Sequence, residues 1–233
     1  VNHGVGGCDF GRRMIDQPLF RMVLADLQLV VVGSLAINLG LGEGLDRSLA
    51  AGGDEHEKLL LRLGLPTGKY WICKRTPFHT YEAMECFGGN GVTEDFIMAR
   101  LYRDAPINAI WEGSGNVQAL DMLRALSRSP EVLEAWYAEL ATTRGADRVL
   151  DEAVQGVQQA LADSDQVEYR ARRIVDQLAL TMQASLLLRA GNSAVADAFI
   201  ASRLSQAGDR NYGTLPRGVD LDPLLVRASP RGV

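Results

Sequence analysis

The sequence predicts an all-α fold, an antiparallel helical bundle, and three observations carry that expectation. Leu19, Val23, Leu27, Val30 and Leu35 recur at helical spacing. A second apolar periodicity follows, with Leu59, Leu60, Leu63, Tyr70, Cys73, Tyr81 and Met84, and only a short turn separates the two. Long helices joined by so short a link pack antiparallel. No run of period-two alternation bounded by turn residues occurs, so no strand is expected.

The elements follow in order. Residues 1–9 hold three glycines and no periodicity, and read as an irregular lead-in. Pro18 suits the first turn of a helix, where its missing N–H is not needed. That helix is predicted to run to about Leu41. The glycine-rich stretch 40–54 reads as a break, ending in the turn Gly52-Gly53-Asp54 with Asp54 as N-cap. A second helix is predicted from about Asp54 to Phe87, kinked or broken by Pro66 and Pro77. The turn Gly88-Gly89-Asn90-Gly91 ends it. A short amphipathic segment, Glu94 to Arg103, closes at Asp104-Ala105-Pro106, and another helix is predicted from Gly115 to Leu126. Ser129-Pro130 stops that helix, and a domain boundary is placed there, dividing 1–129 from 130–233. Helical patterning continues over 131–142, 147–163, 166–190 and 193–207, with breaks at Gly145, Asp163-Ser164 and Gly191-Asn192. Residues 208–233 carry several Gly and Pro and read as an extended tail.

Composition excludes some classes of function. A chain of 233 residues, 47% hydrophobic and 23% charged, has the size and balance to bury a sizeable core. Its net charge of −5 gives no electrostatic reason to expect nucleic acid or an anionic membrane as partner. The C-terminal stretch 127–233 holds 12 Lys plus Arg against 14 Asp plus Glu, and only Arg170, Arg172 and Arg173 cluster. A phosphate-tracking surface needs concentrated cations, so DNA is not expected to be a partner. Cys8, Cys73 and Cys86 form no CxxC spacing, and an odd count without a signal peptide suggests reduced thiols in a cytoplasmic protein. His3, His56 and His79 are scattered, so no metal site is expected. The most apolar run, Leu19 to Leu41, contains Arg21 and Asp26, and no membrane span is expected from it. The chain starts with Val, which suggests that it begins inside a longer reading frame.

Chemistry concentrates in residues 87–126. There a single carboxylate, Glu112, stands between the apolar pair Ile110-Trp111 and Gly113-Ser114. A carboxylate among apolar neighbours is expected to be partly desolvated, which suits it to act as a general base near neutral pH.

The stretch resembles the C-terminal domain of the FAD-dependent acyl-CoA dehydrogenases. Their pattern runs from a GGxG turn through an Arg-Asp pair to Ile-(Tyr/Trp)-Glu-Gly-(Thr/Ser). Gly88-Gly89-Asn90-Gly91, Arg103-Asp104 and Ile110-Trp111-Glu112-Gly113-Ser114 match it in order and spacing. The resemblance implies α,β-dehydrogenation of an acyl-CoA thioester, with Glu112 as the base that takes the α-proton. It implies that the backbone N–H of Glu112 polarises the thioester carbonyl, and that Trp111 and Gly113 lie against the substrate. FAD is the implied cofactor, touched by Phe10, Gln17, Glu85, Gly88, Gly89, Ser114 and Asn116. Phe10-Gly11 and Gln17 match the family's R-x-x-F-G motif and the Gln that follows it, although the Arg position is Gly7 here. Glu85 stands where many members carry Gln. That acid, the phrase Lys69-Tyr70-Trp71-Ile72-Cys73-Lys74-Arg75 and the extra C-terminal helices are similar to the AidB-type, adaptive-response branch of the family. A homotetramer and an electron-accepting flavoprotein are the partners that the resemblance implies.

Plainer readings stand beside these. Phe10 and Gln17 can serve as helix-entry packing, Gly88 as a C-cap and Ser114 as an N-cap. Trp111 can belong to the core, Glu112 can be a solvated loop residue, and Arg103-Asp104 reads as an ion pair or cap. For the whole chain the alternatives are a DNA-associated protein of the alkylation response, or a non-catalytic helical assembly module.

Overall fold

The computed structural model describes residues 2–9, 11–205, 215 and 218–228. Among them the architecture is all-α. Its helices are α1 (Asn2–Gly6), α2 (Pro18–Leu49), α3 (Glu55–Glu85), α4 (Ile97–Asp104), α5 (Gly115–Arg128), α6 (Glu131–Ala141), α7 (Arg148–Ala162), α8 (Val167–Arg189), α9 (Ser193–Arg203) and α10 (Asp222–Ala228). Two departures occur near the start: the lead-in contains α1, and β1 (Cys8–Asp9) pairs antiparallel with β2 (Arg12–Arg13).

The expected break after Leu41 does not occur. Helix α2 continues through Gly40, Gly42 and Gly44 to Leu49. Each glycine costs about 1 kcal/mol of helix propensity. At Gly44 the packing explains it: a Cβ there would lie 2.7 Å from Glu57 Oε2. The turn itself is where it was expected, with Gly52 and Gly53 at positive φ and the Asp54 carboxylate accepting the His56 N–H at 2.9 Å.

Helix α3 is likewise one element across Pro66 and Pro77. A proline inside a helix removes one hydrogen bond and costs roughly 3 kcal/mol. Tertiary burial offsets that cost around Pro66, where Leu63, Gly64, Thr67, Gly68, Tyr70 and Trp71 are all buried. Gly64 and Gly68 face Leu41, and Gly44 faces Glu57, which fixes α2 and α3 as an antiparallel pair.

Helix α2 is long and apolar enough to cross a membrane by length and composition, although it carries Arg21 and Asp26, and half of its most apolar window is buried within the chain. Asp26, on that buried face, is paired with Arg203 of α9. The helix thus serves as a core element, with Leu35, Leu39, Leu45 and Leu49 left exposed.

The chain divides into two compact units. One comprises Val1–Val32, Arg75–Pro106 and Asn192–Val233; the other comprises Gly33–Lys74 and Ile107–Gly191. Both are discontinuous, and helices on either side of Pro130 share the second. In the first unit, Leu29, Phe199 and Leu224 are fully buried. In the second, α8 packs against α5, α6 and α7, around Met122, Trp136, Ile174 and Leu178. Helices α6 to α9 lie within a few residues of their expected limits. Part of the tail expected to be extended lies outside the described residues, and 222–228 is the helix α10.

Candidate functional site

The segment that carries Glu112 is built by two left-handed residues in succession. After α4 the chain runs through a 3-10 turn, Ala105–Ala109, and Ile107 O accepts the N–H groups of Ile110 and Trp111 at 2.9 and 3.1 Å. It then reverses at Glu112 (φ 54°) and Gly113 (φ 101°) and enters α5 with Ser114 as N-cap. A non-glycine residue held left-handed costs on the order of 1–3 kcal/mol and persists only where its surroundings over-determine it. Two side chains do so. Lys69 Nζ, from α3, donates to the carbonyls of Asn108, Trp111 and Gly113 at 3.2, 2.8 and 3.2 Å. Gln118 Nε2, from α5, donates to the carbonyls of Glu112 and Gly113 at 2.8 and 3.3 Å.

Glu112 lines an open groove of about 580 Å³ in the second unit. Leu65, Val117 and Leu120 give it apolar walls. Arg62 forms a bidentate pair with Asp121 there, at 2.8 and 3.1 Å, and Arg124 approaches the same carboxylate at 3.7 Å. Arg62, Lys69 and Arg124 stand against Asp121 and Glu112, so cations exceed anions by one. The enclosure expected around Glu112 is not supplied by these residues. Trp111 is 56% exposed and Glu112 is exposed too, because the reversal lifts both out of the packed face. Trp111 is therefore not a core residue.

The other expected site residues fall into two sets. Trp111, Glu112, Gly113, Ser114 and Asn116 belong to the second unit; Gln17, Glu85, Gly88 and Gly89 belong to the first. Phe10 lies outside the described residues. Ser114 holds the N-cap position of α5, as the plain reading has it, but is exposed and makes no capping bond with its hydroxyl. Asn116 Oδ1 accepts from Arg172 Nε at 2.9 Å. Gly113 is required by the fold: its φ is left-handed, and a Cβ would lie 2.7 Å from Gln118 Nε2. Gln17 ends a 3-10 turn just before α2. Glu85 closes α3, exposed, and its nearby carboxylate raises the pKa of the Tyr81 phenol. Arg103 does not pair with Asp104: its guanidinium bonds Glu94 at 2.6 and 3.1 Å, which holds the Glu94 carboxyl below its ordinary range.

The glycines of the 88–91 turn answer to different demands. Gly88 has φ 56°, and Gly91 is buried with its Cβ position 2.2 Å from Met84 O. Gly89 has no such constraint, and nothing lies within 4 Å of where its Cβ would be. Its bare backbone is open for another group to approach.

Lys69 and Gln118 were not recognisable as site residues in the sequence.

The model for the acyl-CoA dehydrogenase C-terminal domain matches residues 8–127. The chain belongs to the acyl-CoA dehydrogenase family. It is 37% identical to the putative acyl-CoA dehydrogenase AidB of Escherichia coli over 199 residues, which cover 85% of this chain and 36% of that protein. Among solved structures it resembles Caenorhabditis elegans ACDH-11 in complex with C11-CoA, with TM-score 0.75 and 26% identity over 92% of this chain and 40% of that one. A Bacillus anthracis acyl-CoA dehydrogenase complexed with FAD shares the fold, with TM-score 0.56 and 15% identity over 86% of this chain and 39% of that one. The chain thus spans between about a third and two fifths of the length of these family members.

Proposed function

We propose that this chain is the C-terminal part of a flavoprotein that desaturates an acyl-CoA thioester between its α and β carbons. The observation that carries the reading is Glu112: one carboxylate held in a left-handed turn by two side-chain clamps, on the wall of an open groove, inside the segment that matches the family. The acyl-CoA complex of ACDH-11 supports the substrate class. The FAD complex of the Bacillus anthracis enzyme supports the cofactor.

In this reading the Glu112 carboxylate accepts the α-proton. The backbone N–H of Glu112 donates to the thioester oxygen, where charge develops as the α-proton leaves. Leu65, Val117 and Leu120 accommodate apolar parts of the ligand, and the cation excess of the groove suits one that bears phosphates. Ser114 and Asn116 of the second unit would contact FAD; separately, the resemblance assigns FAD contacts to Gln17, Glu85, Gly88 and Gly89 of the first unit and to Phe10. FAD, when bound, supplies the acceptor for the β-hydride.

The test is Glu112→Gln in the full-length protein that carries this chain. Gln keeps the shape and the backbone N–H and removes the base. FAD is expected to stay bound while acyl-CoA-dependent flavin bleaching slows by about 100- to 10,000-fold. Wild-type turnover by that variant would overturn the reading.

A further inference from the structure

We infer that Lys69 is a positioning residue for the Glu112 turn, and that it acts on both functions proposed for Glu112, the carboxylate base and the backbone donor. The inference rests on the proposed dehydrogenase reading and adds a residue to it.

The geometry begins with valence. A lysine ammonium has three N–H donors and no acceptor. Lys69 Nζ meets three carbonyls, those of Asn108, Trp111 and Gly113, so the clamp can use every donor. These carbonyls are 39, 42 and 44 residues away along the chain, so α3 reaches across to hold a loop that has little regular structure of its own.

The shortest of the three bonds bears on the proposed chemistry. Trp111 C=O and Glu112 N–H belong to the same peptide plane, and in a trans peptide they point in opposite directions. Anchoring Trp111 O at 2.8 Å therefore aims the Glu112 N–H away from Lys69. A hydrogen bond on the carbonyl also polarises the peptide, which strengthens its N–H as a donor. The next plane is held by a second side chain, since Gln118 Nε2 donates to Glu112 O at 2.8 Å. Both peptides flanking the Glu112 Cα are thus fixed by side chains, which accounts for the persistence of φ 54° at a non-glycine residue. The direction in which the Glu112 Cα–Cβ bond leaves the chain follows from that backbone. Arginine is a poor substitute, because its flat fork cannot converge on three carbonyls as an ammonium does.

The test uses the full-length protein with Lys69→Met, and Gln118→Leu as a second variant that loosens the other peptide. Hydrogen exchange over residues 107–118 is read alongside the rate of acyl-CoA-dependent flavin bleaching and the affinity for acyl-CoA. Lys69→Met is expected to keep its helical circular dichroism and to exchange the 110–114 amides about tenfold faster or more. Bleaching is expected to slow by about 10- to 1,000-fold, with acyl-CoA affinity changed by less than about threefold, as expected when transition-state rather than ground-state contacts are lost. Lys69→Arg is expected not to rescue the rate. If Lys69→Met does not fold, the same pattern in Gln118→Leu supports the clamp, and unchanged exchange and rate in that variant overturn it. Faster exchange with an unchanged rate overturns the positioning role. A wild-type protein that never bleaches with acyl-CoA overturns the dehydrogenase reading instead, while the exchange result still reports on the clamp.

Discussion

At the scale of single residues, Gly89 and Gly113 separate two reasons for a glycine. Gly113 is fixed by its own chain, with φ 101° and a Cβ position that would meet Gln118 Nε2 at 2.7 Å and Val117 Cγ1 at 3.0 Å. Gly113→Ala is therefore expected to lower unfolding free energy by about 1–3 kcal/mol in chemical denaturation, because the substituent forces a strained backbone and displaces the Gln118 bond. Gly89 is not fixed in this way. Gly89→Ala is expected to change stability by no more than about 0.5 kcal/mol, as at an unconstrained surface site. In the full-length protein the same change is expected to weaken FAD binding, measured by fluorescence titration of the flavin. A large loss of stability with intact FAD affinity would reverse the assignment.

At the scale of elements, buried polar groups show what holds α2 and α3 in place. Asp26 is 1% exposed on α2, and its partner Arg203 comes from α9, which lies beyond the segment that matches the family. Arg203→Met strips the guanidinium from a buried carboxylate and is expected to cost about 3–5 kcal/mol. His79 on α3 adds a pH dependence. Burial, reinforced by Arg75, holds its pKa below the ordinary value of 6.5. The unfolded chain therefore binds this proton more readily than the folded one. The stability associated with neutral His79 is present above the unfolded value and is lost as pH falls through the lower folded value. His79→Gln is expected to flatten that acid limb in urea melts taken between pH 7 and pH 5. The limits of α6 to α9 were legible from apolar spacing because amphipathic patterning reports directly on burial, whereas α1, α10 and the last two turns of α2 were not. The glycines of α2 were misread, and the break that was one of two outcomes expected at the prolines of α3 does not occur, because local propensity is blind to the tertiary packing that overrides it. At the candidate site, Glu112 stood out in the sequence as a lone carboxylate between apolar and small residues, but its exposure did not. Lys69 did not stand out, since three backbone carbonyls around residue 111 leave no signature at position 69.

At the scale of the molecule, charge and apolar surface point in different directions. The clustered cations of α8 are partly committed within the chain. Arg170 donates to the carbonyls of Ala160, Asp163 and Asp165, and Arg172 to Asn116. Among the described residues these contacts leave little concentrated positive charge for a phosphate backbone. DNA affinity is expected to be weak at physiological salt, and a gel shift in the nanomolar range with a steep salt slope would contradict this. The apolar surface argues for protein partners instead. Leu39 and Leu49 of α2 are 69% and 76% exposed, and Leu35 and Leu45 share that helix at 49% and 46%. Four exposed leucines on one face of this helix exceed what a solitary chain ordinarily leaves in water, and self-association through a repeated patch is the usual way to cover them. The protein is expected to sediment as an oligomer at micromolar concentration. Leu39→Glu combined with Leu49→Glu should shift it to smaller species while leaving helical circular dichroism intact, because neither side chain belongs to the buried core. A wild-type protein that sediments only as a monomer, or a double variant that keeps the full oligomer, would show that this face of α2 is not what brings the copies together.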